Sequence, residues 1–248
     1  MTAPWYDRAF GPWYAKLYPH RDEAEAARTL DTLAPWLGGA RPVLDLACGT
    51  GRHLSELRHR VIPAFGLDRS RDLLAAAVRR PELGGRLVRG DMRRLPHPRD
   101  AFGGVLLLFT SFGYFPGRRE HTDLLVEIAR VTRPGGILVL DYMNAPALRR
   151  TLVPRSERRL DGHRVFETRR IEDGEEGPRV IKETVILDVE GRPRDRYEET
   201  VALYEPHEVA GMLTEAGWSE RRRLGDYAAA PWSPETPRCL FVAERQTA

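Results

Sequence analysis

The chain is organised around the stretch Val43-Leu44-Asp45-Leu46-Ala47-Cys48-Gly49-Thr50-Gly51. This pattern predicts a short apolar strand that breaks into a glycine turn and then opens a helix over residues 52 to about 60. Gly49 and Gly51 have no side chains at the point where the backbone turns sharply and a ligand can approach it. We therefore expect a ligand site at the carboxyl end of this strand.

The charge of the same stretch restricts the kind of ligand. The dinucleotide fingerprint G-x-G-x-x-G is only half present, because its third glycine position is Leu54. The strand also carries Asp45, whose carboxylate would repel a pyrophosphate. NAD and FAD are therefore disfavoured, and a positively charged cofactor that carries an adenosine is favoured.

Two further predicted strands also end in acids. The strand over residues 61–68 ends in Asp68, which lies 17 residues after Gly51. A doubly wound fold places the acid that binds ribose hydroxyls at about this spacing. The strand over residues 86–90 is followed by Asp91. Three acids at one sheet edge can bind ribose hydroxyls, an adenine amine and a cation, with no phosphate required.

These motifs resemble those of the class I S-adenosylmethionine-dependent methyltransferases. Residues 43–51, 66–68 and 90–92 resemble the first three family motifs, and Arg133-Pro134-Gly135-Gly136 with the strand after it resembles a later one. The resemblance implies an α/β, Rossmann-like, doubly wound sheet of seven strands with the last strand antiparallel. It also implies S-adenosylmethionine as cofactor and S-adenosylhomocysteine as product. The expected cofactor-binding residues are Tyr14, Asp45, Ala47, Cys48, Gly49, Thr50, Gly51, Asp68, Arg69, Gly90, Asp91, Met92 and Phe109.

Length and composition agree with one α/β domain that carries additions. The 248 residues have a net charge of +3, and the arginines are interleaved with acids, which disfavours nucleic acid as a partner. No apolar run approaches the roughly 18–20 residues of a membrane span, and no apolar leader is visible, so a cytoplasmic protein is expected. Cys48 and Cys239 lack metal-ligand spacing, so no metal is expected. Dense arginine and glutamate suggest a heat-adapted source or a GC-rich genome.

Residues 1–37 are expected to form an N-terminal aromatic and helical cap. The first 18 residues contain a cluster of aromatic side chains: Trp5, Tyr6, Phe10, Trp13, Tyr14 and Tyr18. They predict either a helix pinned to the core or a lid over the cofactor and acceptor, because aromatic faces stabilise a sulfonium by cation–π attraction. Tyr14, Tyr18 and His20 are the candidate site residues here. Asp22, with Glu25 three residues later, predicts the cap of the helix that completes this segment.

The cofactor domain is expected to comprise residues 38–150 and 205–248, with an inserted antiparallel β-flap at 151–204. Three strands are predicted in the flap, over residues 164–171, 179–189 and 194–204, because these segments are rich in β-branched residues and separated by turn residues. The flap is interpreted as an acceptor lid. A dimer interface and an inert elaboration are the alternatives, and the chain is expected to be a monomer or a homodimer.

The fourth strand, over residues 101–109, is continuous and apolar, as is typical of a central parallel strand buried on both faces. It ends in Thr110-Ser111-Phe112-Gly113-Tyr114-Phe115, which lacks the Asn/Asp-Pro-Pro-Tyr of nucleic-acid amino-methylating enzymes. This absence favours methyl transfer, by SN2 displacement, to a nitrogen or oxygen of a small molecule. An amine needs little beyond alignment, whereas a hydroxyl needs a base. Tyr114, His20 and His207 are the candidate bases.

Two other functions stay open at this point. One is an RNA- or protein-modifying methyltransferase on the same fold, which a basic groove beside the site would favour. The other is a non-enzymatic protein that binds the cofactor, which the lack of an acceptor cavity would favour. The loop over residues 226–237, between the last two predicted strands, is also expected to reach toward the site.

Overall fold

The computed structural model describes residues 4–247 and contains two sheets. The larger sheet has seven strands in the order β3-β2-β1-β4-β5-β11-β10, and the smaller has four in the order β6-β7-β8-β9. Strands β1 to β5 are parallel, and β11 runs antiparallel to both of its neighbours, which confirms the predicted fold. The strands are β1 (Val43–Leu46), β2 (Ala64–Asp68), β3 (Leu87–Arg89), β4 (Phe102–Leu107), β5 (Thr132–Met143), β6 (Arg155–Leu160), β7 (His163–Gly174), β8 (Gly177–Leu187), β9 (Pro193–Ala202), β10 (Trp218–Leu224) and β11 (Arg238–Arg245).

The helices follow the predicted start signals closely. Asp22 accepts a hydrogen bond from the Glu25 amide at 2.8 Å, so the predicted cap is present, and Ser70 caps the helix after β2 in the same way by accepting from the Leu73 amide at 3.1 Å. The helices are α1 (Trp5–Ala9), α2 (Tyr14–Leu17), α3 (Glu23–Leu37), α4 (Arg52–His59), α5 (Arg71–Ala77), α6 (Arg118–Val131), α7 (Ala145–Thr151) and α8 (Pro206–Glu215).

The large sheet is covered on both faces. Side chains alternate between faces along a strand, so Leu44 and Leu46 pack with α6 and α8, whereas Val43 packs with α3 and α4. Every residue of β4 is buried, as its continuous apolar sequence predicts. The carboxyl ends of β1 to β4 are thereby fixed side by side at one edge of a rigid layer.

The flap has four strands instead of the three predicted, and β6 is the one that the sequence did not indicate. Its residues, Arg155-Ser156-Glu157-Arg158-Arg159-Leu160, are mostly charged and exposed. An edge strand that pairs only with β7 needs no alternation of apolar residues, so the usual sequence signal is missing. Strands β7, β8 and β9 overlap the three predicted segments and are joined by short turns.

The flap packs against the N-terminal aromatic segment. Ala9 and Leu17 form one buried cluster with Val165, Ile186 and Tyr197 of the flap. The Arg8 guanidinium donates to the Asp195 carboxylate at 2.9 Å, and the Lys182 ammonium donates to the Tyr18 hydroxyl. The flap therefore forms a platform that holds α1 and α2 in place.

Candidate functional site

The carboxyl ends of β1 to β4 open into a cavity of about 300 Å³. The glycine turn after β1 and the residues that follow β2, β3 and β4 form its sheet side, and residues of the N-terminal segment complete the wall. This is the crevice in which open α/β sheets bind their ligands. The position of the cavity therefore agrees with the ligand site expected from residues 43–51.

Most of the residues expected to bind a cofactor or acceptor line this cavity. They are Tyr14, Asp45, Ala47, Gly49, Thr50, Asp68, Arg69, Gly90, Asp91, Met92, Phe109 and Tyr114. Cys48, Gly51, His20 and His207 do not line it.

Cys48 and Gly51 support the turn from behind. The Cys48 sulfur lies so close to Gly66 that a Cβ there would come within 2.8 Å of it, and burial raises the pKa of the thiol well above its usual value. Gly51 has a φ of 76°, and a Cβ on it would come within 2.6 Å of the Leu83 Cδ1 atom. These two residues shape the turn, and their direct contact with the cofactor stays a prediction.

The two histidines expected as bases lie elsewhere. His20 is exposed in the segment between α2 and α3, and its ring centroid lies 6.1 Å from that of Tyr18. His207 is exposed in the first turn of α8. Neither is among the residues that line the cavity, because the chain turns their side chains to solvent. Both are therefore withdrawn as candidate bases.

Asp68 holds the glycine turn while keeping part of its carboxylate free. Its Oδ2 atom accepts from the Gly49 amide at 2.7 Å, and its Oδ1 atom accepts from the Ser70 amide at 2.7 Å. An ionised carboxylate has about four acceptor positions, so two remain for a ligand. Burial raises the pKa of Asp68, although the two backbone donors oppose the shift.

Asp45 is buried at the end of β1, and its Oδ2 atom has no hydrogen-bond partner. Burial raises the pKa of Asp45 to about 7; the nearby Arg52 opposes the shift and Asp68 adds to it. A buried acceptor without a partner is costly unless a ligand satisfies it. Asp45 is therefore suited to a cationic donor.

Asp91 is held by two arginines at the end of β3. Arg93 donates to both of its oxygens, at 3.0 and 2.7 Å, and Arg69 donates to one at 3.1 Å. The hydrogen bonds from Arg93 lower the pKa of Asp91 in spite of its partial burial. Asp91 is therefore ionised, and its orientation is fixed before any ligand binds.

The sequence did not single out two arginines that line the cavity. Arg21 contacts the Tyr14 hydroxyl, and its guanidinium lies 4.5 Å from the Tyr18 ring centroid. Within residues 4–247, no carboxylate lies within salt-bridge distance of Arg21. Arg52 pairs with Glu25 at 2.6 Å. Arg21 is thus a cavity cation without an anionic partner, which an anionic ligand group would satisfy.

His53 is a third cavity residue that the sequence analysis missed. It is buried, its Nε2 atom has no hydrogen-bond partner, and its ring stacks on that of Phe109 at a centroid distance of 5.3 Å. Burial and the two neighbouring arginines lower the pKa of His53 well below its usual value, so the ring is neutral. Its place directly after the glycine turn was the signal available in the sequence.

The rest of the wall is aromatic. The Tyr114 ring packs edge to face on Trp5 at 4.9 Å and lies 5.7 Å from Phe10. Tyr6, Phe10, Tyr14 and Tyr18 of the N-terminal segment line the same cavity. Burial raises the pKa of Tyr114 well above its usual value. Its hydroxyl therefore stays protonated at neutral pH.

The flap contributes no residue to this cavity, and its role as an acceptor lid stays a prediction. It lines a second, shallower depression with Glu175, Glu176, Arg179 and Thr200. Tyr6, Tyr114 and Phe115 line both spaces, so the two adjoin. The flap acts on the main cavity through α1 and α2.

In the described part of the chain, no helix combines the length and the apolar character needed to cross a membrane. Residues 4–247 also contain no group of three or more His, Cys, Asp or Glu side chains that could hold a metal ion.

Comparison with known proteins shows similarity to methyltransferases. Residues 43–136 match the family described as "Methyltransferase domain". A dTDP-3-amino-3,6-dideoxy-alpha-D-glucopyranose N,N-dimethyltransferase of Streptomyces fradiae is 36% identical over 123 residues. That match covers 49% of this chain and 46% of the relative, so the chain spans about half the length of that protein.

Two solved structures extend the likeness to the whole fold. The CcbJ methyltransferase from Streptomyces caelestis has a TM-score of 0.79 at 18% identity, and the match covers 96% of this chain and 98% of the other. CalS10, an amino pentose methyltransferase from Micromonospora echinaspora solved with S-adenosylmethionine bound, has a TM-score of 0.67 at 25% identity and covers 99% of this chain and 98% of its own. Residues 43–136 thus match a methyltransferase domain, and the fold of the whole chain is similar to that of solved methyltransferases.

Proposed function

We propose that this protein transfers a methyl group from S-adenosylmethionine to a nitrogen or oxygen of a small molecule and releases S-adenosylhomocysteine. The observation that carries the proposal is the composition of the main cavity. Three strand-end acids and the unpaired guanidinium of Arg21 share about 300 Å³ with a wall of aromatic rings. This combination suits a ligand that carries an adenosine, a cation and a carboxylate.

The cavity residues fit each part of that cofactor. Asp68 would accept from the ribose hydroxyls with its remaining oxygen positions, and Asp91 with Met92 would hold the adenine. The unpartnered Oδ2 atom of Asp45 would accept from the ammonium of the methionine part. Arg21 would pair with its carboxylate, since no other carboxylate neutralises that guanidinium among the described residues.

When bound, the cofactor supplies a methyl group on a positively charged sulfur, which a nucleophile displaces in line. The protein therefore needs to align the acceptor and to exclude water rather than to activate the methyl group. Tyr6, Phe10 and Tyr14 place aromatic faces on the cavity, where they would stabilise a sulfonium and keep the site dry.

The titratable groups of the cavity favour an amine acceptor. Of the three base candidates from the sequence, only Tyr114 lines the cavity, and its raised pKa leaves it a neutral phenol. His53 also lines the cavity, but its lowered pKa makes it a weak base. An unprotonated amine needs no base before it attacks, so Tyr114 would orient it by a hydrogen bond.

The size of the site favours a small acceptor over RNA or protein. The main cavity is closed by α1 and α2, and the adjoining depression beside the flap gives room for the rest of an acceptor molecule. The Streptomyces fradiae relative and CalS10 are both named for amino sugars. A small, hydroxylated amine such as an amino sugar is therefore the first acceptor class to test.

Calorimetry tests the cofactor half of the proposal. We expect S-adenosylhomocysteine to bind the purified protein and NAD not to bind, because the Asp45 carboxylate would repel a pyrophosphate and Leu54 replaces the third glycine of the dinucleotide fingerprint. Binding of NAD without binding of S-adenosylhomocysteine would overturn the assignment.

A transfer assay tests the acceptor half. The protein is incubated with S-adenosylmethionine labelled in the methyl group and, in parallel, with pooled amino sugars and other small metabolites, with RNA and with protein. Label in a small amine is the expected result. Label only in RNA or protein would favour the macromolecular alternative, and cofactor binding without transfer to any pool would favour a non-enzymatic role.

A further inference from the structure

The chain adopts a strained conformation directly after β4, at the edge of the cavity. Phe109 and Thr110 have φ values of 55° and 62°, although neither is glycine. Such residues persist only where the surrounding structure holds them in place, and they concentrate at functional sites.

Asp141, at the end of β5, supplies much of that support. Its Oδ2 atom accepts from the Phe109 amide at 2.7 Å, and its backbone carbonyl accepts from the Thr110 amide at 3.3 Å. Arg238, at the start of β11, donates to the Thr110 hydroxyl at 2.7 Å. Phe109 is therefore held by Asp141 on β5, and Thr110 is held by Asp141 and by Arg238 on β11.

Asp141 is itself held by two further groups. It is fully buried, and Arg238 donates to both of its oxygens, at 2.8 and 2.6 Å. The Tyr227 hydroxyl donates to its Oδ2 atom at 2.5 Å. The charge of Asp141 is thus neutralised inside the protein, and the loop after β10 is connected to the same carboxylate.

The network ends on the cavity wall. The Phe109 ring stacks on Tyr227 at a centroid distance of 5.2 Å, and the Arg52 guanidinium lies 4.4 Å from the Phe109 centroid. Phe109 and Arg52 both line the cavity, whereas Asp141, Tyr227 and Arg238 do not.

We propose that Asp141, Arg238 and Tyr227 are positioning residues that hold Phe109 against the cavity and so set its affinity for the cofactor. The part of this inference that concerns cofactor affinity rests on the proposed function. The part that concerns the conformation of residues 109 and 110 does not.

Hydrogen exchange in the ligand-free protein tests the conformational part. Tyr227→Phe removes one hydrogen bond to Asp141 and keeps the ring that stacks on Phe109. We expect exchange of the Phe109 and Thr110 amides to accelerate at least fivefold. Thr132→Val is the control, because it removes a buried hydroxyl that donates to the Ile128 carbonyl at 2.8 Å, at the opposite end of β5 from Asp141. Equal exchange at residues 109 and 110 in wild type and Tyr227→Phe would overturn the inference.

Thr110→Val provides a second variant that leaves the Asp141–Arg238 ion pair intact. It removes only the hydroxyl that accepts from Arg238, and we expect it to accelerate exchange at the same two amides. Both variants should also weaken S-adenosylhomocysteine binding about fivefold or more, whereas Thr132→Val should not. Faster exchange with unchanged affinity would overturn the link to the cavity. A wild-type protein that does not bind S-adenosylhomocysteine would instead contradict the proposed function.

Discussion

The Asp68 carboxylate accepts a hydrogen bond from the Gly49 amide at 2.7 Å and thereby connects the end of β2 to the turn after β1. One side chain thus holds the glycine turn and presents free oxygen positions to the cavity. The affinity of a ligand that binds to Asp68 therefore depends on the conformation of the glycine turn.

Replacement of Asp68 by alanine should weaken S-adenosylhomocysteine binding by about 1.5–3 kcal/mol, the range for hydrogen bonds to a charged group. Calorimetry measures the loss. Asp188→Ala is the matched control, since Asp188 also accepts from two backbone amides, of Glu190 at 3.0 Å and Arg192 at 2.9 Å, but in a flap turn. An Asp68→Ala protein that is folded and binds as tightly as wild type would place the ribose elsewhere.

The raised pKa of Asp45 predicts a pH-dependent affinity. At pH 6, most Asp45 carboxyls are protonated in the free protein, because their pKa lies at about 7. At pH 8 most are ionised and can accept from a cationic ligand. S-adenosylhomocysteine affinity should therefore rise roughly tenfold between these pH values, in proportion to the competent fraction. Asp45→Asn should bind more weakly and lack this rise; an identical pH profile in that variant would exclude Asp45 as the cause.

The same shift has an opposite effect on the stability of the free protein. Between about pH 4 and 7 the folded state retains a proton on Asp45 that the unfolded chain has already released, so the free energy of unfolding falls as pH rises through this window. Urea denaturation should show that Asp45→Asn removes this part of the pH dependence. If the unfolding free energies of wild type and Asp45→Asn changed with pH in parallel, Asp45 would not be the cause of this pH dependence.

Replacement of Arg21 should lower the affinity only for ligands that carry a carboxylate. Arg21→Met should weaken S-adenosylhomocysteine binding by tenfold or more, because the carboxylate of the ligand would lose its cationic partner. Binding of 5′-methylthioadenosine, which lacks the amino acid part, should change little. If both ligands lost affinity equally, Arg21 would be acting on the cavity shape and not on a carboxylate.

The two lysines of the chain form a natural pair for testing the flap platform. Lys182 is half-buried between Glu199 at 2.8 Å and Glu167 at 3.3 Å, whereas Lys16 lies 3.8 Å from Asp161 at the surface. Lys182→Met leaves Glu199 without its cation, whereas Glu167 keeps Arg169 at 2.7 Å, so the variant should cost about 3 kcal/mol of unfolding free energy, the lower end of the range for a broken buried pair. Lys16→Met should cost less than about 0.5 kcal/mol. Similar losses in the two variants, measured in urea, would show that the Lys182 cluster does not hold the flap.

The sheet and the three strand-end acids could be predicted from the sequence because each leaves a local signal. The buried β4 is a continuous apolar run, and Asp45, Asp68 and Asp91 lie at or just beyond the carboxyl ends of strands that the apolar pattern locates. Strand β6 leaves no such signal, since it is a charged edge strand.

The adjacent residues His20 and Arg21 show where local reasoning fails for the site. Histidine was chosen as a candidate base for its chemistry, yet the turn before α3 exposes His20 and brings Arg21 to the cavity. Their directions depend on how α2 packs on the flap, which involves residues far away in the chain. The contact between Tyr227 and Phe109 likewise joins residues that are far apart in the sequence.

The packing of the first helices on the flap also sets an order of events during synthesis. Arg8 and its partner Asp195 are 187 positions apart, and α1 contacts β9 directly. A growing chain therefore carries its aromatic N-terminal segment without that platform until the flap strands have left the ribosome. The sheet edge with its acids can form earlier, but the cavity acquires its aromatic wall only when most of the chain has been made.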